Sequence, residues 1–175
     1  MNFEQVRHRP PAELDQPREL VVACAPLRSN VNLSRIARMA GCCGVRTLIC
    51  CGHARIIDKI ARDSIDDGRD DDGAPSGLEI RVHRTLAPPL VEWKRVGYRL
   101  VGLEQTTHSQ NLHSYPFDRR SVLVVGNERH GLDDETLRLL DDVVEIPVWG
   151  LPHAYNAATA ACLALYEYCR QFPRG

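Results

Sequence analysis

The stretch "VEIPVWGLPHAYNAATAACLALYEY", Val144 to Tyr168, opens like a buried strand and closes like an apolar helix. The loop between them holds two prolines, a glycine, a tryptophan and a histidine. Connections of this kind are short and polar as a rule, so this one is shaped to hold something. From Ala154 to Cys169 the only charged residue is Glu167. A helix apolar on all sides must be covered, either by its own core or by another subunit. Both readings stand at this point: the seam of a homodimer, or the central helix of a monomer. Asn156, at the helix start, is placed to cap it or to fix the loop before it.

Working outward, short apolar runs predict strands at 19–26, 45–51, 78–83, 98–105, 121–126 and 143–148. Helical patterns fall between them at 30–43, 55–64, 86–96, 132–140 and 155–171. In the first, Leu33, Ile36, Ala37 and Ala40 form the apolar face, Asn32 is the cap candidate, and Gly41 and Gly44 close it. Strands alternating with helices imply an α/β fold, a mostly parallel sheet covered by helices on both faces. Ligands of such sheets sit beyond the carboxyl ends of the strands, here just after Ala25, Leu103, Gly126 and Ile146.

The length of 175 residues suits one domain, read as 19–175 behind a loose arm at 1–18. Apolar residues at 43% and charged residues at 26% exclude a disordered or membrane-embedded class. No membrane span is expected, since no run approaches about 18 apolar residues, and the arm lacks the apolar core of a secretory signal. Seven cysteines include two adjacent pairs but no Cys-x-x-Cys spacing. They therefore imply core filling in a reducing, cytoplasmic setting and no metal site. The net charge of −1 gives no overall basic field, so a nucleic-acid partner has to meet a local patch or the joined patches of a dimer.

Two further stretches are able to carry chemistry. "GNERHGL" (126–132) follows a strand and precedes a helix. It lacks the Lys-Ser/Thr of a phosphate loop and the Gly-x-Gly-x-x-Gly of a dinucleotide fold, and Glu128 sits where a phosphate would lie. A nucleotide-binding Rossmann protein is disfavoured accordingly; a tight turn with a helix-start acid is the plain reading. In "RSNVNLSRIARMAG" (28–41), Arg35 and Arg38 share a helix face with Cys42, opposite the apolar stripe. Arginines on that face could take RNA phosphates through bidentate contacts, but taken alone the stretch reads first as a solvated helix face.

Together and in this order, the three stretches resemble the SPOUT superfamily and, within it, the TrmH (SpoU) family of RNA ribose 2′-O-methyltransferases. The likeness covers about residues 19–171. Asn32 and Arg38 match the first motif; Gly126, Glu128 and Gly131 match the second; "IPVWGLPHAYNAATAACLALYE" matches the third. "GYRLVGLEQTTHS" (97–109) looks like the eukaryotic enzymes that methylate the D-loop guanosine ribose of tRNA.

The resemblance implies a C-terminal trefoil knot whose loop, 147–155, walls a pocket for S-adenosyl-L-methionine. It implies a homodimer along the uncharged helix and an RNA substrate, tRNA before rRNA. Leu103, Gly126, Ile146, Leu151, Ala154 and Tyr155 would surround the cofactor. Arg38 would be the essential catalytic residue, held by Asn32 and by paired bonds from Glu128, with Asn156 shaping the pocket. Arg28, Arg35 and Arg38 would meet RNA, with Arg7, His8, Arg9 and Arg18 of the arm adding grip. One departure stands out: the family's Ser-Leu-Asn is Ala154-Tyr155-Asn156 here, with His153 alongside. The lost hydroxyl keeps open a rival, a catalytically silent RNA-binding homodimer.

Overall fold

In the first strand, β1 (Leu20–Cys24), every residue is buried, and alternate side chains enter two different cores. Leu20, Val22 and Cys24 point to one side; Val21 and Ala23 point to the other. That division follows from the two-residue period of a strand, and burial on both sides is why the run lacks polar positions. The computed structural model describes residues 3–4, 10–52 and 77–175. The helix expected at 55–64 lies outside the described residues, as do Arg7, His8 and Arg9.

The chain continues through α1 (Asn30–Cys42), β2 (Thr47–Cys51), β3 (Glu79–His83), α2 (Ala87–Arg95), β4 (Arg99–Leu103) and β5 (Gln110–Asn111). It ends with β6 (Ser121–Val125), α3 (Asp134–Leu139), β7 (Asp142–Glu145) and α4 (Ala157–Gln171). The seven strands form one sheet in the order β3-β2-β1-β6-β4-β7-β5, and every pair is parallel. One face is covered by α1 and α4, whose Ile36, Ala40, Ala161, Leu165 and Tyr168 join the strands' inner residues. Leu86, Leu90 and Leu132 cover the other face beside α2 and α3. The expected α/β architecture is thus present; β5, only two residues long and exposed, had no signature in the sequence.

The expected elements need three adjustments. The cap of α1 is Ser29, whose hydroxyl accepts from the Asn32 N–H; Asn32 lies inside the first turn and is buried. Helix α4 is not covered all round: Ala158, Ala161, Ala164, Leu165 and Tyr168 are buried, while Leu163 is 42% and Tyr166 68% exposed. Within the chain α4 thus has one side in the core and one side facing outward. Finally, the end of the arm is tied down. The Asp15 N–H donates to the Arg174 carbonyl (2.9 Å), and the Arg18 guanidinium donates to the Phe172 carbonyl (2.5 Å). Arg18 is buried in this role, so it grips the C-terminal segment and not a partner.

All seven cysteines carry no disulfide, and Cys24, Cys43, Cys50 and Cys51 are buried. Burial pushes the Cys24 thiol up and the Cys50 thiol to about 12, which leaves both as unreactive core filler. No helix among the described residues is long and apolar enough to cross a membrane. Among the same residues no cluster of His, Cys, Asp and Glu is arranged to hold a metal.

Candidate active site

Beyond the carboxyl ends of β4, β6 and β7 lies a cleft with about 780 Å³ of empty space, open to solvent. Its wall includes Leu103, Val125, Gly126, Ile146, Val148, Ala154 and Tyr155. Five of the six residues expected around the cofactor are therefore brought together: Leu103, Gly126, Ile146, Ala154 and Tyr155. Leu151 is the exception; it is 81% exposed and absent from the wall, because the loop turns it outward together with Trp149.

The turn after β6 forms one side of the cleft. Asn127 and Gly131 exchange backbone hydrogen bonds of 2.9 Å in each direction, closing residues 127–131 into a tight loop. The Asn127 side-chain oxygen accepts from the N–H groups of Arg129 and His130, and its amide donates to the Pro26 carbonyl. Gly131 sits at φ +65°, where a side chain is strained. This anchoring aims Glu128 at the start of α1.

Glu128 takes the exposed donors of that helix start. Its Oε2 accepts from the Arg28 N–H (2.8 Å), and its Oε1 accepts from the Ser29 N–H (3.0 Å) and the Asn32 side-chain amide (2.9 Å). Burial pushes this carboxyl up, but the hydrogen bonds from Arg28, Asn32 and Ser29 outweigh it and hold the group below the usual carboxylate range. The helix dipole favours a negative charge in the same place. The Asn32 side-chain oxygen (Oδ1) in turn accepts from the Asn156 side-chain amide (3.2 Å). The Asn156 oxygen accepts from the Ala158 and Thr159 N–H groups and so caps α4. A single relay, Glu128–Asn32–Asn156, therefore ties the β6 turn, α1 and α4 together.

Arg38 is not part of that relay, contrary to the expected Glu128–Arg38 pairing. Six positions along a helix advance about 9 Å and turn about 240°, which carries Arg38 away from Asn32. It lies on the exposed side of α1 with Arg35, and Arg28 is also exposed. Among the described residues, Glu128 is engaged by the first turn of α1 instead.

Three carboxylates, Glu104, Glu128 and Glu145, line the cleft against one cation, Arg129. That excess suits a ligand bearing positive charge. Glu145 accepts a hydrogen bond from the Ser109 hydroxyl at 2.7 Å. The sequence reading missed Glu104, although it directly follows Leu103 at the carboxyl end of a buried strand.

Fold and site together define an α/β protein that receives a ligand at the carboxyl ends of a parallel sheet. Residues 19–166 match the SpoU rRNA Methylase family, and the chain belongs to that family. It is 39% identical over 94 residues to the mouse tRNA (guanosine(18)-2'-O)-methyltransferase TARBP1, a match covering 54% of this chain and only 6% of that protein. The fold is shared with the Aquifex aeolicus TrmH/SpoU tRNA modifying enzyme, at a TM-score of 0.74 and 26% identity, over 90% of this chain and 77% of that one. It is also shared with the SpoU methyltransferase AviRb from Streptomyces viridochromogenes in complex with the cofactor AdoMet. There the TM-score is 0.68 and the identity 28%, over 94% of this chain and 64% of that one.

Proposed function

We propose that the chain transfers a methyl group from S-adenosyl-L-methionine to a ribose 2′-hydroxyl of RNA, tRNA before rRNA, with a D-loop guanosine favoured. The observation carrying this reading is the Glu128–Asn32–Asn156 relay, which joins the three family motifs at the rim of one cleft. The residues fit the cofactor: Leu103, Val125 and Ile146 offer apolar walls for an adenine, and the carboxylate excess suits a sulfonium and an ammonium group. When bound, the cofactor supplies a methyl already activated by its sulfonium, so the protein contributes position and a route for a proton.

In this reading Glu128 and Asn32 fix the start of α1, and Asn156 fixes the start of α4, so the cleft keeps its shape as substrate arrives. Arg38 is a poor base because its guanidinium stays charged. It holds the adjacent phosphate and stabilises alkoxide charge, while phosphate or water takes the proton. The chain works as a homodimer through the exposed side of α4, where Leu163 and Tyr166 need a cover. That seam lies next to α1, against which α4 packs, so Arg38 of one copy serves the cleft of the other. The compartment is cytoplasmic, and the chain's C-terminal segment is knotted as in the family. RNA affinity resting on Arg28, Arg35 and Arg38 of two copies falls steeply with salt.

The test is a tritiated-methyl assay on total tRNA and rRNA with nucleoside mapping. Label on a 2′-O-methylated tRNA nucleoside is expected; label on rRNA alone redirects the substrate, and label on a base overturns the reaction. Arg38→Ala is expected to cut turnover by about a thousandfold while leaving cofactor affinity in place; undiminished turnover refutes the role of Arg38. A catalytically silent module, favoured by Ala154 in place of serine, binds RNA and no methyl donor.

A further inference from the structure

The two glycines of the β6 turn are explained by a residue outside it. A Cβ on Gly131 would fall on Oε2 of Glu104. A Cβ on Gly126 would come within 3.0 Å of the same oxygen and 2.8 Å of the Gly131 carbonyl carbon. The turn is thus hollowed to admit the Glu104 carboxylate. Glu104 is held in place by its own backbone: its N–H donates to the Val144 carbonyl (3.1 Å), and its Oε1 accepts from the Gln105 N–H (3.0 Å). Oε2 has no hydrogen-bond partner among the described residues, and the residue lines the cleft. The other two carboxylates in the wall already have donors, Glu128 from α1 and Glu145 from Ser109. An acceptor positioned with this much care, with no donor of its own and on a residue that lines a cleft, is a place for a ligand's donor.

We propose that Glu104 binds the ribose diol of the methyl donor, a role that rests on the cofactor reading above. The wall around it sets the choice of group. Leu103, Val125 and Ile146 suit an adenine, so the part of the ligand within reach of the β4 end is the nucleoside, whose only paired donors are the 2′- and 3′-hydroxyls. Oε2 accepts one hydroxyl and the second lone pair of Oε1 the other, both charge-assisted. Glu104 is a binding residue that fixes the sugar, and hence the reach of the methyl, without touching the reacting atoms.

The test is calorimetric titration of the full chain and its E104A and E104Q variants with three probes. These are S-adenosylmethionine, S-adenosylhomocysteine, and S-adenosylhomocysteine lacking both ribose hydroxyls. E104A is expected to weaken the first two probes equally, by about ten- to a hundredfold. E104Q keeps the side chain's size, guards against a folding defect, and is expected to weaken them less. The dideoxy probe should bind the wild-type chain weakly and E104A no more weakly still. Equal affinity of E104A and wild type for S-adenosylhomocysteine overturns the assignment. A loss confined to the positively charged S-adenosylmethionine also overturns it, since that is charge attraction and not diol recognition. A wild-type chain that binds none of the probes overturns the cofactor reading itself, an outcome distinct from a Glu104 failure.

Discussion

At the carboxyl ends of β4, β6 and β7 the loops are held by amide side chains and make room with glycines, whereas the amino ends of the same strands are closed by charges. Arg99 pairs with Asp142, Lys94 with Asp141 (2.7 Å), and Arg119 and Arg120 share Glu19 (3.1 and 3.4 Å). Arg120 also lies over the Tyr98 ring at 4.8 Å, and Arg119 donates to the C-terminal Gly175 carbonyl. Each of these cations has a carboxylate beside it, so that end is self-neutralising and its cations are paired. The cleft end differs in both respects: its charges are three carboxylates against one arginine, and one oxygen of Glu104 has no hydrogen-bond partner among the described residues. Polar groups satisfied among themselves build a scaffold, and polar groups aimed but left unpaired build a site.

The difference between the two ends is most exposed to disproof at Glu128. Glu128→Gln exchanges one acceptor oxygen for a donor facing the Arg28 and Ser29 N–H groups or the Asn32 amide. Turnover should fall by about a hundredfold or more, with only a modest change in melting temperature; wild-type turnover would make the relay mere scaffold. At the other end the expectation reverses. The hydrogen bond from Arg99 holds the Asp142 carboxyl below the usual range against the opposing effect of burial, and Tyr115 and Gln110 add to it. A carboxyl with a lowered folded value contributes stability that is complete above its unfolded value of about 3.9 and is lost as pH falls through the folded one. Asp142→Asn should therefore cost about 1–3 kcal/mol at neutral pH, and the deficit should shrink as unfolding is measured at progressively lower pH. Turnover should stay near wild type, and a large loss of activity would mean that the two ends are coupled. The smallest effect is at Arg174, whose pair with Asp15 is exposed on both sides. Arg174→Ala should shift stability by no more than about 0.5 kcal/mol in a denaturant titration.

Much of this was legible in the residues. In "SVLVVG" every residue after Ser121 up to Gly126 is apolar because both sides of β6 are buried, and that run marks a central parallel strand. Asn32 and Glu128 stand 96 positions apart and Asn32 and Asn156 124, and only the resemblance to the family implied that they meet; in the structure they are hydrogen-bonded in one chain of contacts. What failed depended on rotation and register, which composition does not record. Asn32 and Ser29 are both good caps, and only the path of the chain decides that Ser29 takes the end. Arg38 shares a helix with Asn32 but, at six positions' remove, not a face. Leu151 belongs to a loop whose course sequence does not fix. Glu104 had a signal that was overlooked, an acid placed immediately after a buried strand on the ligand-binding edge.

If the chain binds a methyl donor as proposed, the cleft at the carboxyl ends is its seat. Ala154 lies on its wall and is exposed, so Ala154→Phe places bulk at the rim without disturbing the core. Titration calorimetry of the wild-type chain with S-adenosylmethionine should show saturable binding at one site per chain, weakened about tenfold or more in the A154F variant. Absence of saturable binding in the wild type, or undiminished affinity in A154F, would contradict it.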